Sequence, residues 1–215
     1  MYVNGNGDVG ELSEQEVVSC DTSDSGCNGG DPATAWDWIK SHGGLTTAAS
    51  YPYTQYATTK VATPGCNQAL SAASKSVLTA SGTPVALPKT SSSAAQILAS
   101  ETAIMQQIYA GYPVTFQIAA SSSCFNNYVG GVMSCSCGGA VDHVVLAIGW
   151  TPTYFIIRNQ WLVLRRTCII TEGLVVVLTS HHKPNIYRGT SWGISGYAYL
   201  PRGMVSFDHL TICTQ

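Results

Sequence analysis

The residues best placed to do chemistry are a histidine and an asparagine on either side of a turn. His143 opens an apolar run over 143–150, and Asn159 closes a second one that starts with the aromatic and aliphatic residues 154–157. The Pro-containing turn between the runs predicts a β-hairpin. Folding the chain there places His143 opposite roughly position 161, so that Asn159 can share its face. A histidine whose ring is held by an amide can act as the general base for a nucleophile. A buried core histidine beside a turn residue fits the same pattern.

Further motifs surround this pair in a fixed order. They are Leu12-Ser13-Glu14-Gln15-Glu16, Gly26-Cys27-Asn28-Gly29-Gly30, Tyr51-Pro52-Tyr53 and Gly189-Thr190-Ser191-Trp192-Gly193 with Gly196-Tyr197. This order resembles the papain-like cysteine peptidases over nearly the whole chain. The resemblance implies an α+β fold of two lobes, one helical and one an antiparallel β-barrel, with the substrate cleft between them. It also implies a Cys-His-Asn triad in which His143 is the base, Asn159 orients it and Trp161 shields their hydrogen bond.

The nucleophile of that triad is absent from this sequence. In the family it lies in a Gln-Gly-x-Cys-Gly-Ser-Cys-Trp motif that opens a long central helix and supplies oxyanion donors. The chain begins at Met1, eleven residues before Leu12, and does not contain the motif. We therefore expect a truncated papain-like chain that lacks the N-terminal part with the central helix and is inactive as written. The alternatives are a non-catalytic relative that binds peptides and an unrelated disulfide-stapled structural protein.

The resemblance also implies where a substrate would lie. Gly29 and Gly30 would let a substrate backbone approach and pair as a strand, because a side chain there would obstruct it. Pro32 and Val144 would line the apolar pocket for the substrate residue two before the cut. Taken alone, the two glycines also fit a simple turn.

Local patterns predict the elements of the two lobes. A capping box at Ser13 and Glu16 predicts a short helix within 10–20, and Pro32 starts a second helix that stops at two glycines, 43 and 44. Helical spacing predicts a third helix over 94–110, and apolar runs predict strands over 76–87 and 114–119. We assign residues 1–93 to the remnant of the helical lobe and residues 94–215 to the barrel lobe.

Eight cysteines indicate an oxidising compartment. The resemblance pairs Cys20 with Cys66 and leaves Cys27 an orphan, because its expected partner lies beside the missing nucleophile. Two more bridges are expected in the barrel lobe, in pairings that the sequence does not fix, among Cys124, Cys135, Cys137 and Cys213.

Two other roles for these cysteines are disfavoured. A metal site built on Cys135, Cys137 and His143 lacks the second cysteine pair of a structural zinc site, so we expect no metal and no cofactor. Cys27 has no charged neighbour that would activate its thiol as a substitute nucleophile.

Composition limits the partners. The formal net charge is −2 and only 10% of residues are charged, so the clustered positive charge that nucleic acids require is missing. No apolar run is long enough to cross a bilayer, and the first residues match no secretory signal. We expect a monomer that acts on a peptide or protein. By resemblance its location is lysosomal, vacuolar or extracellular.

The block from Leu162 to Arg188 matches nothing expected of the family. Removing it joins Trp161 to Gly189 and restores the family motif, and degenerate codons allow a GT donor at Trp161 and an AG acceptor at Arg188. We interpret these 27 residues as an unspliced intron translated in frame. A genuine surface insertion, with strands at 169–170 and 175–178, is the alternative, since long loops cost little entropy.

We predict that the native transcript joins the codon of Trp161 directly to that of Gly189, because this join rebuilds the motif without a frameshift. Sequencing the transcript and the gene across this region checks it. A mature transcript that retains the 27 codons, or a gene without GT after the first two bases of codon 161, would contradict the intron interpretation.

Overall fold

The computed structural model describes residues 11–54, 65–72, 85–86, 94–118, 120–134, 142–159, 192–203 and 210–212. The described residues fall into two compact units, one ending at residue 72 and the other starting at residue 85. The first unit is helical and the second contains an antiparallel sheet, which confirms the α+β class. Trp161, the cysteines at 135, 137, 168 and 213, and the block 162–188 lie outside the described residues.

Helix α1 (Glu14–Cys20) begins where the sequence predicts. The Ser13 hydroxyl accepts the backbone N–H of Glu16 at 3.0 Å and donates to the carbonyl of Tyr51 at 2.7 Å. The reciprocal half of the expected capping box is not made. Instead, the Ser13 N–H donates to the carbonyl of Thr46, and the Glu16 side chain accepts the N–H of Thr46 at 2.7 Å.

Glu16 is a fully buried carboxylate, so it must be paired inside the protein. Besides the N–H of Thr46, it accepts the Ser71 hydroxyl at 2.7 Å, and His42 Nε2 lies 3.5 Å from the same oxygen. Ser71 ends the short helix α3 (Gln68–Ser71), which the Cys20–Cys66 disulfide ties to α1. The pairing of Cys20 with Cys66 is as predicted.

Helix α2 (Pro32–Ser41) is defined by its two ends. The Asp31 side chain caps it by accepting the N–H of Ala33 at 2.8 Å, and Pro32 occupies the first turn. The helix buries Ala35, Trp36 and Ile39 on one face. It ends before Gly43, whose φ of +80° is a left-handed conformation that glycine adopts without strain.

Among the described residues, the second unit contains a six-stranded antiparallel sheet of order β1-β6-β2-β3-β4-β5. The strands are β1 (Val85–Ala86), β2 (Val114–Ile118), β3 (His143–Trp150), β4 (Tyr154–Arg158), β5 (Tyr197–Pro201) and β6 (Leu210–Ile212). Helix α4 (Ala94–Tyr109), predicted at 94–110, contacts β2 and β3. β1 pairs with β6 and therefore belongs to the sheet. Its residues lie within 1–93, the range that we assigned to the helical lobe.

Alternate residues of the central strands form the core of the second unit, as expected of a sheet with one buried face. β3 contributes Val145 and Ala147, and β4 contributes Phe155 and Ile157. Ile104 of α4 is fully buried against this face.

The segment 121–133, for which the sequence shows no helical pattern, contains a one-turn helix, α5 (Ser123–Asn126). The Ser122 hydroxyl caps it by accepting the N–H of Phe125 at 3.3 Å, and Phe125 is buried. A single apolar residue in a polar run carries no periodic signal, so the sequence did not predict this turn. Within the described ranges, no helix has both the length and the apolar character needed to cross a membrane.

We predict that Ser13→Ala lowers the free energy of unfolding by about 1–2 kcal/mol, because the variant loses the α1 cap and leaves a buried N–H and a buried carbonyl unpaired. Urea unfolding followed by circular dichroism measures it. Ser41→Ala is the matched control, since its exposed hydroxyl bonds only to its own helix, and its effect should stay within about 0.5 kcal/mol. Equal losses in both variants would contradict the capping role.

Candidate active site

The predicted hairpin brings His143 and Asn159 together. β3 and β4 pair antiparallel with Leu146 opposite Arg158, and the register shifts by one residue between Ala147 and Gly149. This register puts His143, the first residue of β3, at the same end of the hairpin as Asn159, which directly follows β4. The Asn159 N–H donates to the carbonyl of Gly196 at 2.9 Å and so holds its backbone in place.

The two side chains share a short hydrogen bond. His143 Nε2 lies 2.7 Å from Asn159 Oδ1, and both residues are buried. An amide oxygen has no proton to give, so Nε2 must be the donor. In the neutral imidazole the lone pair is then on Nδ1, which is the nitrogen able to accept a proton from a nucleophile. Asn159 therefore selects the tautomer as well as the orientation of the ring.

Burial sets the charge of this histidine. Loss of solvent lowers the pKa of His143 to about 4, while its hydrogen bond to Asn159 and the nearby charge of Asp142 act in the opposite direction. The imidazole is therefore neutral at pH 7 and ready to act as a base.

An aromatic cluster lies beside the histidine. The ring of Phe125 meets His143 edge-on at 6.1 Å between centroids and packs against Trp192 at 4.7 Å. Trp192 is fully buried, and its indole N–H donates to the carbonyl of Phe125 at 2.9 Å. In the sequence Trp192 stands out only as part of a motif and Phe125 does not stand out at all, because no local pattern places α5 next to β3.

Asp142 fixes the strand entry one residue before the histidine. Its carboxylate accepts the N–H of Ala120 at 2.7 Å and of Ser121 at 3.2 Å. These bonds tie the turn after β2 to the start of β3, so the position of His143 rests on two backbone contacts as well as on the sheet.

The glycine segment expected to bind substrate lies in the first unit. Gly29 has a φ of +113°, and its carbonyl accepts the N–H of Ser25 at 2.8 Å. A Cβ on Gly30 would lie 2.5 Å from Cγ of Asp24, so only glycine fits there. Of the two expected pocket residues, Pro32 is buried at the start of α2 and Val144 is buried in β3 of the second unit.

The cysteines correct one expectation. Cys27 forms a disulfide in the structure, so the prediction that it is an orphan is wrong. A chain with eight cysteines offers partners other than the one the resemblance supplies, and sequence alone does not determine the pairing. Cys124 is also disulfide-bonded, in line with its expected role. The described residues contain no group of three or more acidic, histidine or cysteine side chains arranged to hold a metal ion.

Comparison with known proteins identifies the class to which this site belongs. The sequence model of the papain family of cysteine proteases matches residues 1–164. The match covers most of the chain, including both His143 and Asn159. The chain therefore belongs to the papain family of cysteine proteases.

Individual relatives support this assignment. Cysteine endopeptidase RepA of Oryza sativa is 31% identical over 208 residues, which cover 94% of this chain and 43% of that protein. Vignain of Ricinus communis is 31% identical over 199 residues, covering 90% of this chain and 42% of the relative. The chain thus spans less than half the length of these relatives.

A solved structure shows the same fold. The Carica candamarcensis cysteine protease CMS1MS2, determined in complex with E-64, superposes with a TM-score of 0.66 at 24% identity. The superposition covers 96% of this chain and 78% of that protein.

We predict that His143 makes stability fall in acid. Its pKa is about 4 in the folded protein, below the ordinary 6.5, so the unfolded chain takes up the proton first as the pH falls. The contribution of this group to the free energy of unfolding is therefore complete above pH 6.5. It falls by about 3 kcal/mol between pH 6.5 and pH 4. Urea unfolding of the protein and of His143→Gln at pH 7 and pH 4 measures the difference. If the protein and His143→Gln differ in stability by the same amount at pH 7 and at pH 4, the lowered pKa of His143 is contradicted.

Proposed function

We propose that this chain carries the base and the orienting residue of a cysteine-type endopeptidase, which hydrolyses peptide bonds by a Cys-His-Asn mechanism. The observation that carries the proposal is the 2.7 Å contact between His143 Nε2 and Asn159 Oδ1. This bond leaves Nδ1 as the nitrogen that would face a nucleophile. Membership of the papain family supplies the reaction class.

In the proposed mechanism the imidazole transfers a proton in each half of the reaction. Nδ1 of His143 takes the proton of a cysteine thiol, and the resulting thiolate attacks the carbonyl carbon of the scissile peptide. The imidazolium then gives the proton to the leaving amine as the C–N bond breaks. In the second half, the same nitrogen takes a proton from a water molecule, which attacks the thioester carbon. The acid is released as the C–S bond breaks, and the imidazolium returns the proton to the thiolate.

The mechanism requires a cysteine thiol as nucleophile, and we propose that this chain does not supply one. The Gln-Gly-x-Cys-Gly-Ser-Cys-Trp motif is not in the sequence. Cys20, Cys27, Cys66 and Cys124, which are the cysteines of the described residues, are all held in disulfides. We therefore propose that the chain by itself does not cleave peptides.

Substrate binding follows from the same assignment. We propose that Gly29 and Gly30 pair with the backbone of a peptide or protein substrate and that Pro32 and Val144 line its apolar pocket. Both roles rest on the positions that these residues occupy in the motifs of the papain family. We also propose a monomer that works in the vacuole, the lysosome or outside the cell, with Trp161 shielding the His143–Asn159 bond.

A non-catalytic, peptide-binding relative is the second candidate. The observation that favours it is that the sequence contains Gly29 and Gly30 but not the nucleophile motif. Such a protein would bind peptides without any reaction with a thiol reagent.

We predict that an epoxide probe directed at active-site thiols does not label this chain alone. It should label the chain once the segment with the Gln-Gly-x-Cys-Gly-Ser-Cys-Trp motif, read from the native transcript, precedes it. Asn159→Ala in the extended protein should slow labelling by about two orders of magnitude, because the ring loses its tautomer and orientation. Asn126→Ala is the matched control, since Asn126 bonds only to its own helical turn. If the probe labels the chain alone, and the labelling requires His143, the proposal is contradicted.

A further inference from the structure

Two aspartates interact with each other in the loop after helix α1, where Asp21 is buried and Asp24 is half-buried. Asp21 is 6% exposed, and its Oδ1 accepts both the N–H of Ser23, at 2.8 Å, and the Ser23 hydroxyl. The Oδ2 atoms of Asp21 and Asp24 are also buried, and neither has a hydrogen-bond partner among the described residues. The two carboxyl groups lie within hydrogen-bond reach of one another.

Two carboxylates in this position repel each other, whereas one proton between them converts the repulsion into a hydrogen bond. That proton also satisfies both of the buried oxygens, which otherwise carry the cost of unpaired polar atoms. The pKa of Asp24 is raised to about 6, mainly by burial and additionally by the charge of Asp21 and the hydrogen bond to it. The bond from the Asp31 N–H acts in the opposite direction but does not cancel the rise.

Asp24 also holds the glycine segment. Its Oδ1 accepts the N–H of Asp31 at 2.9 Å, which closes the stretch 24–31 into a loop around the side chain. Within that loop the backbone of Gly30 packs directly on the Asp24 carboxyl. Any movement of the Asp24 side chain therefore reaches Gly29 and Gly30.

We propose that Asp21 and Asp24 share a single proton in mildly acidic conditions and that this proton locks the Gly29–Gly30 segment in place. When the proton leaves, the two negative charges push the Asp24 side chain towards water, and the contacts with Asp31 and Gly30 are lost. In the described part of the chain, the charged groups that face Asp24 are Asp21 after α1 and Asp31 at the start of α2, and both disfavour its ionisation. The loop is therefore ordered below about pH 6 and loosened above it.

The direction with pH follows from the raised pKa. The folded protein holds the proton on Asp24 up to about pH 6, whereas the unfolded chain releases it near the ordinary value of 3.8. The proton on Asp24 therefore stabilises the folded protein fully below pH 3.8, and this stabilisation is lost as the pH rises through about 6. Any effect on peptide binding at Gly29 and Gly30 rests on the proposed function, but the proton pair does not.

The test is a pH titration of the chain without peptide, followed by NMR. The Asp24 carboxyl carbon should titrate near pH 6, and the exchange protection of the Asp31 amide should fall by about tenfold between pH 5 and pH 7. In Asp24→Asn the amide oxygen can accept from Asp31 and the amide nitrogen can donate to Asp21, so this variant imitates the protonated pair. Its Asp31 amide should stay protected throughout.

Two further variants separate the pair from a general effect of charge. Asp37→Asn, on the exposed side of α2, removes the same charge and should behave like the unmodified protein. Asp21→Asn removes the repulsion and should move the titration of Asp24 towards its ordinary value. A carboxyl of Asp24 that titrates near 4 in the unmodified protein, or an Asp31 amide whose protection does not change with pH, would overturn the proposal.

Discussion

The site depends on one hydrogen bond between an imidazole and an amide that are both removed from water. A buried histidine is neutral because burial penalises its charged form, and a neutral histidine is useful as a base only if the right nitrogen holds the lone pair. Asn159 determines which nitrogen this is, since its amide oxygen can only accept a hydrogen bond and so requires the proton on Nε2. The hairpin, the Asp142 contacts and the Phe125–Trp192 cluster all serve to hold this bond in a dry, fixed place.

The first unit meets a related constraint with carboxylates. Glu16 accepts a backbone N–H and a serine hydroxyl, and His42 lies nearby, so each of its oxygens has a donor. Asp24 accepts one backbone N–H and has a second carboxyl beside it, and its pKa is raised. The two carboxyl groups thus differ in the number of donors that reach them and in the charge of their neighbours.

Local signals in the sequence predicted the elements well. Ser13, Pro32 and the Pro-containing turn mark where helices and the hairpin begin, because caps and turns depend on residues close in the chain. The contact between His143 and Asn159 could be predicted for the same reason, since a hairpin fixes its own register. The partners of Glu16, the cluster at Phe125 and the disulfide of Cys27 could not, because each depends on residues brought together from distant parts of the chain.

We propose that Asn159 holds the proton of His143 on Nε2 and leaves Nδ1 to act as the base. Long-range ¹H–¹⁵N NMR of the imidazole at pH 7 measures this directly, because protonated and unprotonated ring nitrogens have well-separated chemical shifts. We expect a neutral ring with a protonated Nε2 and an unprotonated Nδ1, and loss of that preference in Asn159→Ala. A ring protonated on Nδ1 alone, or on both nitrogens, would contradict it.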